Sequence, residues 1–221
     1  MTKILAIETS SELASCALLN GDTVLSRQST GVRTHSQSIL PMVQELLAEA
    51  GLALKDLDAI AFGAGPGSFT GVRTACGIAQ GLAFGSGLPA IPVVTLAAMA
   101  LACRQRTGAA DVLAVLDARM GEVYWAQYRY ADGWQTVIEP ALCAPDGVAS
   151  IGPVTACGNG LPGSELADVM PHAAQVAQLA ALEFAAGRTV SAAHAQPIYL
   201  RNKIAYTSAE RQVINAAKAS A

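Results

Sequence analysis

The chain has 221 residues, a formal net charge of -3 and 52% hydrophobic residues. This length suits one large or two small domains, and the weak negative charge offers no overall attraction to nucleic acid. No uncharged apolar run reaches the roughly 20 residues of a membrane helix, and no signal-peptide core precedes the first strand pattern, so we expect a cytoplasmic protein. Five cysteines without close spacing predict apolar packing, not disulfides or a zinc site.

The first half of the chain opens with three predicted strands. The turn between the second and third is Asn20-Gly21, a pair that tolerates the positive φ angles of a tight hairpin. Helices and further strands then alternate, as judged from hydrophobic periodicity. The predicted elements are strands over 4–8, 13–19 and 23–29, a helix over 36–50, a strand over 58–63, a helix over 68–84, a strand over 89–94 and a helix over 96–106.

The same order of elements starts again at Asp111. Strands are predicted over 112–116, 122–130, 134–138 and 154–157, and an alanine-rich amphipathic helix over 173–186. The repeat is faint in residue identity and clear in spacing. We therefore predict an α/β fold of two lobes, 1–108 and 109–221, each a version of the β-β-β-α-β-α unit found in actin, Hsp70 and the sugar kinases.

Two segments have the composition of a phosphate site. Hydroxyl residues follow the first strand, and a glycine-rich turn opens the helix over 68–84, where free N–H groups and the helix dipole favour anions. The segment lacks the Lys-Ser or Lys-Thr pair of a Walker A loop and the acidic residue of a dinucleotide fingerprint. We expect at most vestigial phosphate or nucleotide contacts. The candidates are Thr9, Ser10, Ser11, Gly65, Gly67 and Ser68.

Small residues recur at every fourth position of that helix, at Gly67, Gly71, Ala75, Ala79 and Ala83. A stripe of this kind permits close packing, either against the lobe's own sheet or against a helix of another protein. Together with the apolar face over 39–50 it offers more apolar surface than a small lobe needs, which favours a protein interface. The predicted interface residues are Ile39, Met42, Val43, Leu46, Gly71, Val72, Ala75, Cys76, Ala79 and Leu82.

Catalytic signatures are sparse. The three histidines, His35, His172 and His194, have no His or carboxylate partner at helical spacing, and no hydrolase serine motif is present. We therefore expect no catalytic residue, no metal and no cofactor. The alternative is a small ATP-dependent kinase or a metallohydrolase of the actin-like superfamily.

Four motifs give the chain a family resemblance that runs over nearly its whole length. They are KILAIETS at 3–10, RTHS at 33–36, GPGSFTGVR at 65–73 and PIYLRN at 197–202. The chain resembles the bacterial TsaB (YeaZ) family, relatives of TsaD, the enzyme that attaches threonylcarbamoyl to N6 of adenosine 37 in tRNAs reading ANN codons. The resemblance implies a non-catalytic subunit that pairs with TsaD through first-lobe helices and cooperates with TsaE. It also implies a homodimer when TsaD is absent, and contact with tRNA only through the complex.

One departure from TsaD supports the non-catalytic interpretation. Thr95 and Met99 stand where TsaD has a His-x-x-x-His metal motif, and neither replaces an imidazole on a catalytic metal. His35 lies in a segment similar to one in the enzyme, and we assign it a capping role at a helix start. The basic residues Arg201, Lys203, Arg211 and Lys218 predict a solvated tail, with a tRNA contact as the alternative.

Overall fold

The computed structural model describes residues 1–29 and 35–201, which form two lobes, each built on one mixed β-sheet. The first sheet has the strand order β3-β2-β1-β4-β5. Strands β1, β2 and β3 are antiparallel neighbours, whereas β4 and β5 run parallel to β1. The elements of this half are β1 (Lys3–Glu8), β2 (Ala14–Asn20), β3 (Thr23–Ser29), α1 (His35–Ala50), β4 (Ala59–Gly65), α2 (Phe69–Ser86), β5 (Ala90–Val94) and α3 (Thr95–Thr107).

The second sheet repeats the beginning of that plan with four strands in the order β8-β7-β6-β9. Its hairpin strands are antiparallel, and β9 runs parallel to β6 as β4 runs parallel to β1. The elements are β6 (Asp111–Arg119), β7 (Glu122–Tyr130), β8 (Trp134–Cys143), β9 (Thr155–Cys157) and the helix α4 (Ala173–Ala185). The predicted α/β fold of two sheet-based lobes is confirmed, with element bounds close to those predicted.

Both faces of the first sheet are covered. Helices α1 and α2 bury one face through side chains such as Ile39, Leu46 and Ala79. Helix α4 covers the opposite face, where Val176 and Ala177 pack on Ile4 and Ala61. Burial of this apolar surface supplies the main stabilisation of the lobe.

Helix α3 joins the two lobes. Its residues Leu96, Met99 and Cys103 pack on the second sheet, whereas Ala98 belongs to the core beneath α4. The far side of the second sheet is covered by irregular chain, which the buried Gln127 holds by bonding both the N–H and the carbonyl of Ile151 at 2.8 Å. One face of the second sheet therefore has a helix and the other has a loop.

Helix α4 belongs by sequence to the second predicted lobe, 109–221, and packs on the sheet of the first. It lies on the first sheet, and its first N–H, that of Ala173, donates to Ser15 Oγ of β2 at 2.9 Å. Its alanine-rich face matches the small residues of β1 and β4, which allows close helix-to-sheet packing. Helix α4 thus completes the core of the first lobe, and the predicted lobe bounds stay a prediction.

Two predictions fall outside the described residues. The side chain of His35 is not described, although α1 begins at that residue. The tail residues Lys203, Arg211 and Lys218 lie within 202–221, so the predicted basic tail and its tRNA alternative stay predictions. Within the described ranges, no helix combines the length and the apolar character needed to cross a membrane.

Candidate partner surface and interlobe cleft

The glycine segment, residues 63–71, packs against the end of β1 and the turn that follows it, and three of its glycines each meet one residue there. A Cβ added at Gly63 would lie 1.8 Å from Glu8 Oε2, and one at Gly71 would lie 1.9 Å from the Thr9 carbonyl oxygen. At Gly67 the added atom would lie 2.6 Å from the Cβ of Ser10. No larger residue fits at these separations. Gly67 and Gly71 thus allow two backbone segments to approach closely, and Gly63 leaves room for the Glu8 carboxyl group.

Hydrogen bonds join the same two segments. The Ser68 N–H donates to the Ser10 carbonyl at 2.7 Å, and the Thr9 hydroxyl donates to the Gly71 carbonyl at 2.7 Å. Ser68 is also the N-cap of α2, since its Oγ accepts from the Gly71 N–H at 3.4 Å. The turn after β1 is therefore fastened to the first turn of α2.

The predicted phosphate residues are brought together, but several of their polar groups bond within the protein. Thr9, Ser10 and Ser11 are buried, and the Thr9 hydroxyl and the Ser10 N–H both have protein acceptors. Ser11 Oγ accepts from the Leu13 N–H. Of the glycine-segment candidates Gly65 is buried, Gly67 is half-buried and Ser68 is exposed.

Glu8 is a buried carboxyl group at the centre of this contact. Its Oε1 accepts from the Ser10 N–H at 2.5 Å, whereas Oε2 has no hydrogen-bond partner and packs against Gly63. Burial raises the pKa of Glu8 above its ordinary value of 4.5, and the polar groups of Ser10, Thr9 and Thr95 around the carboxyl only partly oppose that shift. Among the described residues the groups that act on this carboxyl are all uncharged, so none of them forms an ion pair with its charged form.

A cavity of about 690 Å³ lies between the lobes, beside the turn after β1. An ion pair crosses its edge, with Arg119 Nη2 of the second lobe 2.7 Å from Glu12 Oε1 of the first. Arg201 also lines the cavity and bonds both the Arg119 carbonyl and the Glu122 carboxylate. The charged side chains of this cleft are thus paired with one another.

The predicted interface residues lie in the interior of the first lobe in the isolated chain, and their contact with a partner stays a prediction. All except Leu82, which is partly buried, are buried between the two helices and the first sheet. The predicted residues are Ile39, Met42, Val43, Leu46, Gly71, Val72, Ala75, Cys76, Ala79 and Leu82.

The outward side of α2 carries a second stripe of small residues, made only of glycine. Gly77, Gly81 and Gly85 are exposed at four-residue spacing, and a Cβ added at any of them would meet nothing within 4 Å. Phe84 beside them is 83% exposed. Each helical glycine costs about 1 kcal/mol relative to alanine, and within the described structure no contact compensates that cost. We call these four residues the glycine face.

The glycine face is the feature that the sequence reasoning missed. Both stripes have the same period, so periodicity alone did not distinguish them. The available signal was composition, because an alanine-rich stripe is ordinary core whereas three glycines in one helical row weaken the helix at every turn.

Two residues at the predicted metal-motif position have structural roles. Thr95 Oγ1 accepts from the Gly65 N–H at 3.1 Å, and Met99 is buried against the second sheet, where its carbonyl accepts from the Cys157 thiol. Across residues 1–29 and 35–201, no three His, Cys, Asp or Glu side chains group as a metal site requires.

Two mixed sheets, each starting with an antiparallel meander and continuing with a parallel strand, surround the cleft. This arrangement defines the class of two-lobed, actin-like α/β proteins.

Comparisons with known proteins give the family. A family model described as "TsaD: tRNA N6-adenosine threonylcarbamoyltransferase" matches residues 18–220. The tRNA threonylcarbamoyladenosine biosynthesis protein TsaB of Escherichia coli K12 is 42% identical, covering 92% of this chain and 96% of that protein. The Haemophilus influenzae protein of the same description is 41% identical, covering 92% and 95%. The structure described as YeaZ from Pseudomonas aeruginosa is 39% identical with a TM-score of 0.83, covering 90% of this chain and 100% of that one. The chain belongs to the TsaB (YeaZ) family.

Proposed function

We propose that this chain acts in the biosynthesis of threonylcarbamoyladenosine in tRNA, as a non-catalytic subunit that pairs with TsaD. The observation that carries the role is the 42% identity, over nearly the full length of both chains, with a protein named for that pathway. In this proposal TsaE joins the TsaD pair, tRNA is contacted only through the complex, and the chain acts in the cytoplasm.

The non-catalytic part of the proposal is supported by how the polar residues near the cleft are used. The Thr9 hydroxyl and the Ser10 N–H bond within the protein, and Thr95 and Met99 serve backbone bonding and packing. In this proposal the six predicted phosphate residues are remnants of a phosphate site, and they now hold the turn after β1 against helix α2. Chemistry on tRNA belongs to the partner.

The pairing surface in this proposal is the glycine face of α2. Exposed helical glycines let the backbone of another helix approach more closely than any side chain allows, and Phe84 adds a large apolar contact beside them. Leu40 of α1 is a further exposed apolar side chain, 46% exposed, on a helix that covers the same face of the first sheet as α2. In the absence of TsaD, two copies of this chain pair through the same face, so the two pairings exclude each other.

The test is the substitution Gly81→Leu, measured by titration calorimetry with TsaD and by sedimentation of the chain alone. We expect TsaD affinity to fall about 100-fold and the homodimer to dissociate, since a side chain at the centre of a tight interface blocks helix approach. The free energy of unfolding of the monomer should rise, because leucine favours helix more than glycine does.

The matched control is Ala185→Leu, which adds the same side chain at an exposed position of α4. It should leave both pairings unchanged. Undiminished TsaD binding by a folded Gly81→Leu protein would contradict the proposed surface. ATP turnover by the isolated chain, measured by phosphate release, would contradict the non-catalytic role.

A further inference from the structure

The direction of α2 depends on the position of its first turn. That turn is contacted on one side by the segment that follows β1. The segment after β1 contacts Gly67 and Gly71 closely enough to exclude a Cβ at either, and it bonds Ser68 and Gly71. The glycine face lies further along the same helix, at 77–85. A shift of the first turn would therefore tilt the surface that follows it.

The segment after β1 is in turn held by Glu8. The Oε1 bond to the Ser10 N–H closes the turn, and the side chain fills the space left by the missing Cβ of Gly63 on β4. A carboxyl without an ionic partner is costly to bury in its charged form, so its place here is explained by shape and by one hydrogen bond. Gln has nearly the same shape and keeps the acceptor oxygen.

We infer that Glu8 is a positioning residue: it locks the turn after β1 onto the first turn of α2 and so aligns the glycine face for pairing. This inference rests on the proposed function, because the face has to be the pairing surface for its alignment to matter. Thr9 and Ser10 transmit the position through their contacts with Gly71 and Gly67.

Three variants at Glu8 distinguish the proposed positioning role from a general effect on packing. Glu8→Gln keeps the shape and the acceptor, Glu8→Asp shortens the side chain by one carbon, and Glu8→Ala removes the acceptor. The control Asp132→Ala removes an exposed carboxyl from the turn between β7 and β8. Affinity for TsaD is measured by calorimetry, and amide hydrogen exchange is followed across residues 68–72.

We expect Glu8→Gln and Asp132→Ala to bind TsaD within about threefold of the unsubstituted chain, whereas Glu8→Ala binds at least about tenfold more weakly. Exchange at residues 68–72 should be about tenfold faster in Glu8→Ala and unchanged in Glu8→Gln. Where Glu8→Ala does not fold, Glu8→Asp replaces it, with weaker binding and faster exchange expected in the same direction.

Equal affinity and equal exchange in all folded Glu8 variants would overturn the inference, as would a loss in Glu8→Gln as large as that in Glu8→Asp. The substitution Gly81→Leu separates this failure from a failure of the proposed function. If Gly81→Leu abolishes pairing while the Glu8 variants do not weaken it, only the positioning role is wrong. If Gly81→Leu pairs normally, the proposed surface itself is wrong.

Discussion

Helix α2 has two stripes of small residues on opposite sides, and they have opposite physical meanings. The inward stripe includes Gly71, Ala75 and Ala79, which are buried against the first sheet and the turn after β1. The outward stripe is Gly77, Gly81 and Gly85, where an added Cβ would meet no described atom within 4 Å. The inward small residues are explained by close packing within the chain. The outward glycines only lower the stability of the helix in the isolated chain. An unexplained cost of this kind indicates a surface that another molecule covers.

The largest expected effect comes from the inward side. Gly71→Ala should lower the free energy of unfolding by about 3 kcal/mol or more, because the new Cβ would overlap the Thr9 carbonyl and force two backbone segments apart. Urea unfolding followed by circular dichroism measures the change. A loss below about 1 kcal/mol would show that the two segments separate easily, which would remove the contrast between the two sides of α2.

The next effect concerns Glu8 and pH. Because the folded-state pKa is raised, the folded chain binds more protons than the unfolded chain at pH values between the ordinary value of 4.5 and the folded-state value. The contribution of the neutral Glu8 carboxyl to the free energy of unfolding is therefore fully present below pH 4.5. It is lost as the pH rises toward and through the folded-state pKa. Within that window the stability of the unsubstituted chain should fall relative to Glu8→Gln by up to about 1.4 kcal/mol per pH unit.

Urea midpoints for the two proteins, measured from pH 5 to pH 8, check this prediction. If the stability of the unsubstituted chain instead rose with pH relative to that of Glu8→Gln, the folded state would favour the charged carboxylate. In that case an unrecognised donor or cation stabilises Glu8, and the contact between the turn and α2 is electrostatic.

The smallest expected change in the free energy of unfolding comes from the outward side of α2, and it is an increase. Gly77→Ala and Gly81→Ala should each raise the free energy of unfolding of the monomer by about 0.5 to 1 kcal/mol, since the methyl group meets no neighbour. The same substitutions should weaken pairing modestly. Thermal unfolding at a concentration where the chain is monomeric separates the two effects. Destabilisation of the monomer would show that the outward side packs against residues of its own chain.

Local sequence patterns were reliable where one element determines its own conformation. The Asn20-Gly21 hairpin, the helix entry at Ser68 and the strands of both sheets follow from turn chemistry, capping and periodicity. The apolar face over 39–50 was recognised as well, and in the isolated chain it packs on the first sheet. A helix with an apolar stripe has to bury it, and sequence does not state whether the lobe's own sheet or another protein receives it.

The sequence by itself determined the two-lobed α/β plan, the family and the presence of a glycine segment at the start of a helix. Tertiary structure alone decided that Gly63, Gly67 and Gly71 accommodate Glu8, Ser10 and Thr9, that α4 returns to the first sheet, and which stripe of α2 faces outward. Each of these depends on contacts between residues distant along the chain. Local propensity and spacing describe one segment at a time, whereas the distance between two backbones exists only in the folded chain.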